Sequence, residues 1–346
     1  MDFQGLNNPS NQTQQQIATP VYIQEKKKTG SVRKIFWGIT VGFSALVNIF
    51  LFLMLIGIVM FFVTGQRDTL MEDIIREGPI GTKIAVVSIE GTIYSEQAEN
   101  VYRQLKAAEK NEQVKAVIVC VDSPGGTVSA SDQIYHEILK FRERTQKHVI
   151  AFMQGTAASG GYYASVACEK IMAEPTVITG SIGVISSYFV LQNLLEDKLG
   201  VQPVVIKSGE KKDWPSSYRA PTEAEIQYIN DKLIKPTLEI FVNVVAKGRE
   251  KSLSLSEVKD LADGSIFGAK EAMDRKLIDD IGYLDDAINL VKSLAGIGDA
   301  QVIQYKRPFS LGSLLGVESK QNLFKLDKNM LYELGTPQTL FLWSAF

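Results

Sequence analysis

The chain has 346 residues, enough for one large or two ordinary domains. Its 37 basic residues stand against 39 acidic ones, which gives no reason to expect a nucleic-acid partner. Cys120 and Cys168 lie in apolar stretches and His136 and His148 form no metal-ligand cluster, so two buried thiols are expected rather than a disulfide framework or a metal site; no cofactor is expected.

Residues 1–34 are polar and rich in Gln and Asn, ending in Lys26-Lys27-Lys28 and Arg33-Lys34, and read as a disordered cytoplasmic tail. Residues 35–63 carry no charge over 29 positions. At about 1.5 Å of rise per residue, a helix of that length exceeds a hydrocarbon core of roughly 30 Å. A cleaved signal peptide is the rival reading, but it would have a shorter apolar core and a small-residue cleavage site. This segment ends Met60-Phe61-Phe62-Val63, which favours a retained transmembrane helix. Five basic residues precede it closely, and only Arg67 and Arg76 follow. The positive-inside rule then predicts a single-pass protein of the cell membrane, with its N-terminus cytoplasmic and the rest on the extracytoplasmic side.

Residues 64–82 read as a linker, and 83–298 as one α/β domain. Within it, Ile84–Ile89, Ala116–Val121 and His148–Met153 are compact apolar runs, as expected for parallel strands buried on both faces. Helices are predicted over 95–110 and 129–144, the second with Ile134, Ile138, Leu139 and Phe141 as its apolar face. Further on come a strand at 170–173, a turn at 179–183, a helix at about 187–198 and a strand at 201–207. A long helix over 222–247 opens with a capping-box pattern, Thr222-Glu223-Ala224-Glu225, and shorter helices follow at about 255–262, 268–275 and 284–294. Strands alternating with helices argue for right-handed α/β units. Residues 299–346 form a C-terminal extension, apolar at Phe309–Leu315 and Leu340–Phe346. Two readings of that tail stay open, a docked or oligomer-contacting segment and a free end lying in a substrate groove.

The candidate chemistry centres on Ser159, where the third apolar strand turns into a helix through Ala157-Ala158-Ser159-Gly160-Gly161. A hydroxyl there faces free backbone N–H groups, and the glycines leave a substrate room to approach. An ordinary serine N-cap is the alternative. A nucleophilic serine needs a base within hydrogen-bond reach. No histidine follows Ser159, and His148 belongs to the far end of the adjoining strand, so a Ser-His-Asp triad is not expected. A neutral lysine can serve, at a cost of two to three pKa units, about 3–4 kcal/mol. The candidates lie in Lys207-Ser208-Gly209-Glu210-Lys211-Lys212-Asp213-Trp214, whose other reading is a solvated basic loop. Gly126, after a buried strand, and Gly160 could present two N–H donors to an oxyanion, and Ser181 could hydrogen-bond a lysine amine.

Taken together, Asp122-Ser123-Pro124-Gly125-Gly126, Ala158-Ser159-Gly160-Gly161-Tyr162-Tyr163, Thr179-Gly180-Ser181-Ile182-Gly183-Val184, Ile206–Asp213, Ala262-Asp263-Gly264 and Leu277–Gly282 resemble the signal peptide peptidase A family in its short, single-repeat form. The likeness runs from about residue 82 to 295. It implies a Clp/crotonase-like fold of ββα units, a ring-shaped homo-oligomer and hydrolysis of membrane-derived signal peptides. By motif it implies Ser159 as nucleophile, Lys212 as general base, Ser181 as that lysine's hydrogen-bond partner, and Gly126 and Gly160 as the oxyanion hole. Lys211 beside Lys212 leaves the choice of base open between them. The alternatives are an acyl-CoA enzyme on a crotonase-like fold and a non-catalytic oligomeric scaffold.

Overall fold

The computed structural model describes residues 30–64, 70–306 and 338–343. The chain divides into two compact units, Met1–Gly65 and Gln66–Phe346. The predicted tail over 1–34 lies outside the described residues as far as residue 29, but its last residues, from Ser31, are helical, and the apolar Phe309–Leu315 lies outside the described residues. In the first unit, α1 (Ser31–Thr64) is a single helix. Its Val32–Ile58 stretch has a mean hydropathy of 2.5 and is nowhere buried. A helix apolar all round suits hydrocarbon better than one face of a globular core.

The second unit begins with β1 (Met71–Arg76), β2 (Lys83–Glu90), α2 (Ser95–Lys110), β3 (Val114–Ser123), β4 (Gly125–Thr127) and α3 (Val128–Thr145). It continues through β5 (His148–Ala158), α4 (Gly160–Ser165), β6 (Lys170–Ala173), β7 (Ile178–Gly180) and β8 (Ile185–Ser187). Then come α5 (Glu223–Ile229), α6 (Lys235–Gly248), α7 (Leu255–Asp260), β9 (Ile266–Gly268), α8 (Ala269–Asp274), β10 (Asp280–Ile281) and α9 (Leu284–Ala295). The last two elements are β11 (Gln301–Lys306) and β12 (Gln338–Leu342).

Parallel β2, β3 and β5 lie side by side at the centre of a nine-stranded sheet. Ile84, Val86, Ile118, Cys120, Ile150 and Phe152 share one apolar cluster with Ala287, Ile288 and Val291 of α9. The alternate residues Ala85, Val87, Val117, Val119, Val149 and Ala151 join the opposite cluster, with Val101 and Leu105 of α2 and Ile134 and Ile138 of α3. This two-sided burial is why these strands read as continuous apolar runs. Both cysteine thiols are free and buried, as expected.

Several elements differ from the sequence reading. The 64–82 stretch contains β1, which pairs antiparallel with β11, and β11 itself falls in what was read as a C-terminal extension. Every residue of β1 is exposed, so no alternation of apolar and polar positions marks it as an edge strand. The helix expected at 187–198 is reduced to one π-type turn, Leu194–Lys198, after β8. Val201–Lys207 is not a strand, because it has no strand partner among the described residues. The long helix is present, with its capping box at Thr222 and Glu225, and widens by a π turn at Asn230–Ile234 between α5 and α6.

Candidate active site

At the end of β5 the chain reverses at Ser159 and enters α4. Ser159 has φ 51° and ψ −111°, a backbone region that residues with side chains rarely occupy. Two hydrogen bonds hold it there: its N–H donates to the Gly180 carbonyl at 2.8 Å, and its carbonyl accepts from the Tyr163 N–H at 2.8 Å. The residue is 1% exposed.

A second loop meets this turn backbone to backbone. Gly125, at φ 99°, has no room for a side chain: a Cβ would lie 2.0 Å from the Phe341 carbonyl oxygen and 2.7 Å from the Gly160 nitrogen. A Cβ on Gly160 would lie 2.4 Å from Ser131 Oγ. These glycines let three backbone segments converge beside Ser159.

The third segment is β12, which lies antiparallel between β4 and β8 in a three-stranded sheet. Phe341 stands opposite Gly126, and Leu340 opposite both Thr127 and Ile185. The Trp343 N–H donates to the Pro124 carbonyl at 2.8 Å. Hydrogen-bonded pairs recur at every second residue of such a ladder, so Phe341 and Gly126 exchange N–H···O bonds. The Phe341 carbonyl therefore receives the Gly126 N–H, with the Gly160 N–H alongside. The tail is thus docked as a strand between β4 and β8.

Ser181 follows Gly180, the residue that anchors the Ser159 N–H. It has φ 50°, and its own N–H donates to the Ser265 carbonyl at 2.7 Å. It lines a cavity of about 460 Å³ together with Asp263, Leu342 and Trp343. Hydrogen bonds from Ser265 hold the exposed Asp263 carboxyl below the usual carboxylate range.

The lysine loop stands apart from this cluster. Among the described residues no hydrogen bond joins Ser159 to Lys211 or Lys212, and both lysines are exposed. Lys207 Nζ pairs with Asp213 Oδ1 at 2.7 Å. Lys211 Nζ lies 4.5 Å from the Tyr228 ring centroid and 5.6 Å from that of Trp214. Lys212 alone of the three has no side-chain partner among the described residues. Asp213 also lies 3.6 Å from Arg219, whose guanidinium bonds Glu225 at 2.6 and 2.7 Å. Glu225 accepts the Thr222 N–H and hydroxyl as well, and this set, led by Arg219, holds its carboxyl down at about 2. The chain Lys207–Asp213–Arg219–Glu225 ties the lysine loop to the start of α5.

His148 lies at the far end of β5 from Ser159 and bonds Glu169 at 2.8 Å, and among the described residues neither it nor His136 hydrogen-bonds Ser159. The sequence profile of peptidase family S49 matches residues 141–298, and that of Clp protease matches residues 81–177. A protein assigned as signal peptide peptidase SppA in Enterococcus faecium is 38% identical over 250 residues, covering 69% of this chain and 71% of that protein. The chain belongs to peptidase family S49. A protein assigned as a protease in Synechocystis is 40% identical over 220 residues, 64% of this chain and 77% of that protein. The chloroplastic serine protease SPPA of Arabidopsis thaliana is 33% identical over 235 residues, 68% of this chain and 33% of that longer protein. The protein is thus an SppA-like serine protease with a Clp/crotonase-like fold and one long apolar helix near the N-terminus. The acyl-CoA enzyme and the non-catalytic scaffold are set aside.

Sequence reasoning did not reach the aromatic residues around Phe341. Tyr163 and Phe241 lie within 5.0 Å of its ring, centroid to centroid. Tyr163 sits inside a quoted motif, but Phe241 belongs to a long helix whose apolar face gives no sign of which residue reaches the groove.

Proposed function

We propose that this S49 protease is a membrane-anchored endopeptidase that binds peptides as added β-strands between β4 and β8 and cleaves them with Ser159 and Lys212. Signal peptides released by secretion, being apolar, are the proposed natural substrates. One observation carries the reading: the chain's own β12 fills a strand-shaped groove with a peptide carbonyl at the Gly126 N–H, beside Ser159 and Gly160. Strand addition recognises backbone, which suits substrates of varied sequence.

In the proposed reaction, neutral Lys212 accepts the Ser159 hydroxyl proton as Oγ attacks the substrate carbonyl carbon. The Gly126 and Gly160 N–H groups bind the oxyanion. The lysinium then protonates the leaving amine as the C–N bond breaks. Lys212 next takes a proton from water, which attacks the acyl ester; collapse frees the acid and returns the proton to Ser159 Oγ. Ser181, which lines the neighbouring cavity, is the proposed hydrogen-bond partner of the lysine amine.

Lys212 is assigned to a second copy of the chain. It is exposed on its own subunit, while Ser159 is buried. The stretch leading to it is apolar and open, with Val204 84% and Ile206 95% exposed. Such a surface suits packing in a homo-oligomer, for which a ring is proposed. Lys211, engaged by Trp214 and Tyr228, is the weaker candidate for the base. With basic residues concentrated before the uncharged stretch 35–63, the proposed orientation keeps the N-terminus cytoplasmic and the peptidase outside.

The test is subunit mixing. Ser159→Ala and Lys212→Ala should each abolish peptide turnover and leave folding intact, while co-assembly of the two variants should restore part of it. Labelling of Ser159 by a serine-directed covalent probe should accompany activity. If mixed assemblies form but stay inactive, the lysine in trans is wrong; if Ser159→Ala stays active, the nucleophile is wrong.

A further inference from the structure

The strand that leads to Ser159 does not run evenly. Against β3, Val121 faces Met153 and Ser123 faces Ala157, so β5 takes four steps where β3 takes two. The surplus falls at residues 154–156 and works as a joint. Before it, residues 150–153 pair with β6; after it, residues 156–158 pair with β7. A bulge of this kind re-aims a strand. Here it delivers the chain to Gly180, whose carbonyl takes the Ser159 N–H. Register matters at this place, because a slip of one residue would turn each side chain of 156–158 to the other face of the sheet.

One side chain holds the joint. Asp122 Oδ1 accepts the Thr156 N–H at 3.1 Å. Gly155 passes close by at φ 48°, and a Cβ there would lie 2.9 Å from the same oxygen. Asp122 is anchored in turn: it pairs with Glu90 of β2, and its carbonyl accepts the Gly91 N–H at 2.9 Å. The next residue, Ser123, is fully buried, and its Oγ accepts the Gly125 N–H at 3.0 Å, which fixes the start of the Gly125-Gly126 loop. Two consecutive residues of β3 therefore hold both loops of the site, Asp122 on the side of Ser159 and Ser123 on the side of Gly126.

We infer that Asp122 is a positioning residue of the peptidase reaction: by holding the Thr156 N–H it locks the joint in β5 and sets the place of Ser159 against the Gly126 loop. The inference rests on the proposed roles of Ser159 and Gly126. Asp122 acts through the backbone of Thr156 and makes no contact with the peptide in this assignment. Its side chain is exposed, so its truncation opens no cavity in the core.

The first measurement needs no catalysis. In the full-length protein, hydrogen exchange at the Thr156 amide should be about 10-fold faster in Asp122→Ala than in the wild type, with the amides of β2 unchanged. Unchanged exchange at Thr156 would overturn the clamp. The second measurement is the rate at which a serine-directed covalent probe labels Ser159. Asp122→Ala should slow it by about 10²-fold, the effect of a misplacement of about 1 Å, while labelling still runs to completion. The full endpoint separates a misplaced nucleophile from a loss of folded protein. Asp122→Asn keeps the acceptor oxygen and should restore the rate to within about 5-fold of the wild type. Gly155→Ala should slow labelling as well, but add little in the Asp122→Ala background, because both changes act on one joint. Equal labelling rates in the wild type and Asp122→Ala, or no recovery in Asp122→Asn, would overturn the positioning role. If exchange responds as expected but the wild type is not labelled at Ser159, the clamp on β5 stands and the proposed nucleophile is what fails.

Discussion

Glu225→Gln tests whether the salt-bridge chain governs the lysine loop. Glu225 is buried, takes both guanidinium nitrogens of Arg219, and caps α5 through the Thr222 N–H and hydroxyl. Its carboxyl titrates near 2 in the fold against 4.5 without these partners. A depression of that size links to at most about 3 kcal/mol of stability at neutral pH. Arg219 is 34% exposed, so solvent screens part of the attraction, leaving about 1–2 kcal/mol. Because the folded value is the lower one, this stability is fully present above about pH 4.5 and is lost as pH falls toward 2. Glutamine should therefore raise hydrogen exchange across residues 207–226 by roughly 5- to 30-fold at neutral pH. As pH falls from 4.5 toward 2 the opened form and then the fold itself take up the proton, and the two proteins should converge. Peptide turnover should fall in step with local opening, because the same loop carries Lys212. A gap between the two proteins that persists unchanged to pH 3 would show that packing, not charge, holds the loop, and would refute the reasoning.

Gly160→Ala should cut kcat by roughly 10²- to 10³-fold, since its Cβ would meet Ser131 Oγ at 2.4 Å and displace a proposed oxyanion donor; steady-state kinetics with an unchanged circular dichroism spectrum would check it. Turnover should climb from pH 6 toward pH 9, as a base that must be neutral requires; Lys211→Ala should retain it and Lys212→Ala should not, and the reverse pattern would move the base to Lys211. Deleting Gln338–Phe346 should raise the initial rate on short peptides by emptying the groove, and an unchanged rate would mean that β12 does not compete with substrate. Burial pushes both thiols up to about 12, so iodoacetamide at pH 8 should modify Cys120 and Cys168 only after denaturation, as read by mass spectrometry.

The parts of this molecule legible in sequence are those that constrain the chain locally. Ala116–Val121 reads as a doubly buried strand because both faces are covered. Gly125-Gly126 and Ser159-Gly160 stand out because their backbones approach one another too closely for side chains. Thr222 and Glu225 announce a helix start because a capping box is complete within four residues. What escapes is set by distant partners. Val201–Lys207 has strand propensity but no strand to pair with among the described residues, and propensity alone does not make a strand. The Tyr163 and Phe241 rings that meet at Phe341 share no local pattern, and Lys211 is distinguished from Lys212 only by which ring stands nearby.

That unpaired Val201–Ile206 stretch has a consequence for biogenesis. In the proposed homo-oligomer, a newly made chain would carry a short, sticky apolar ribbon until a sister molecule covered it. Pro203 interrupts the ribbon and denies one amide to any improper neighbour, yet Val204, Val205 and Ile206 remain available for misdirected cross-chain pairing. Overproduction that outruns orderly assembly should therefore yield aggregates held together at this ribbon, and a charged residue in place of Ile206 should keep orphan chains dispersed while preventing them from joining one another correctly.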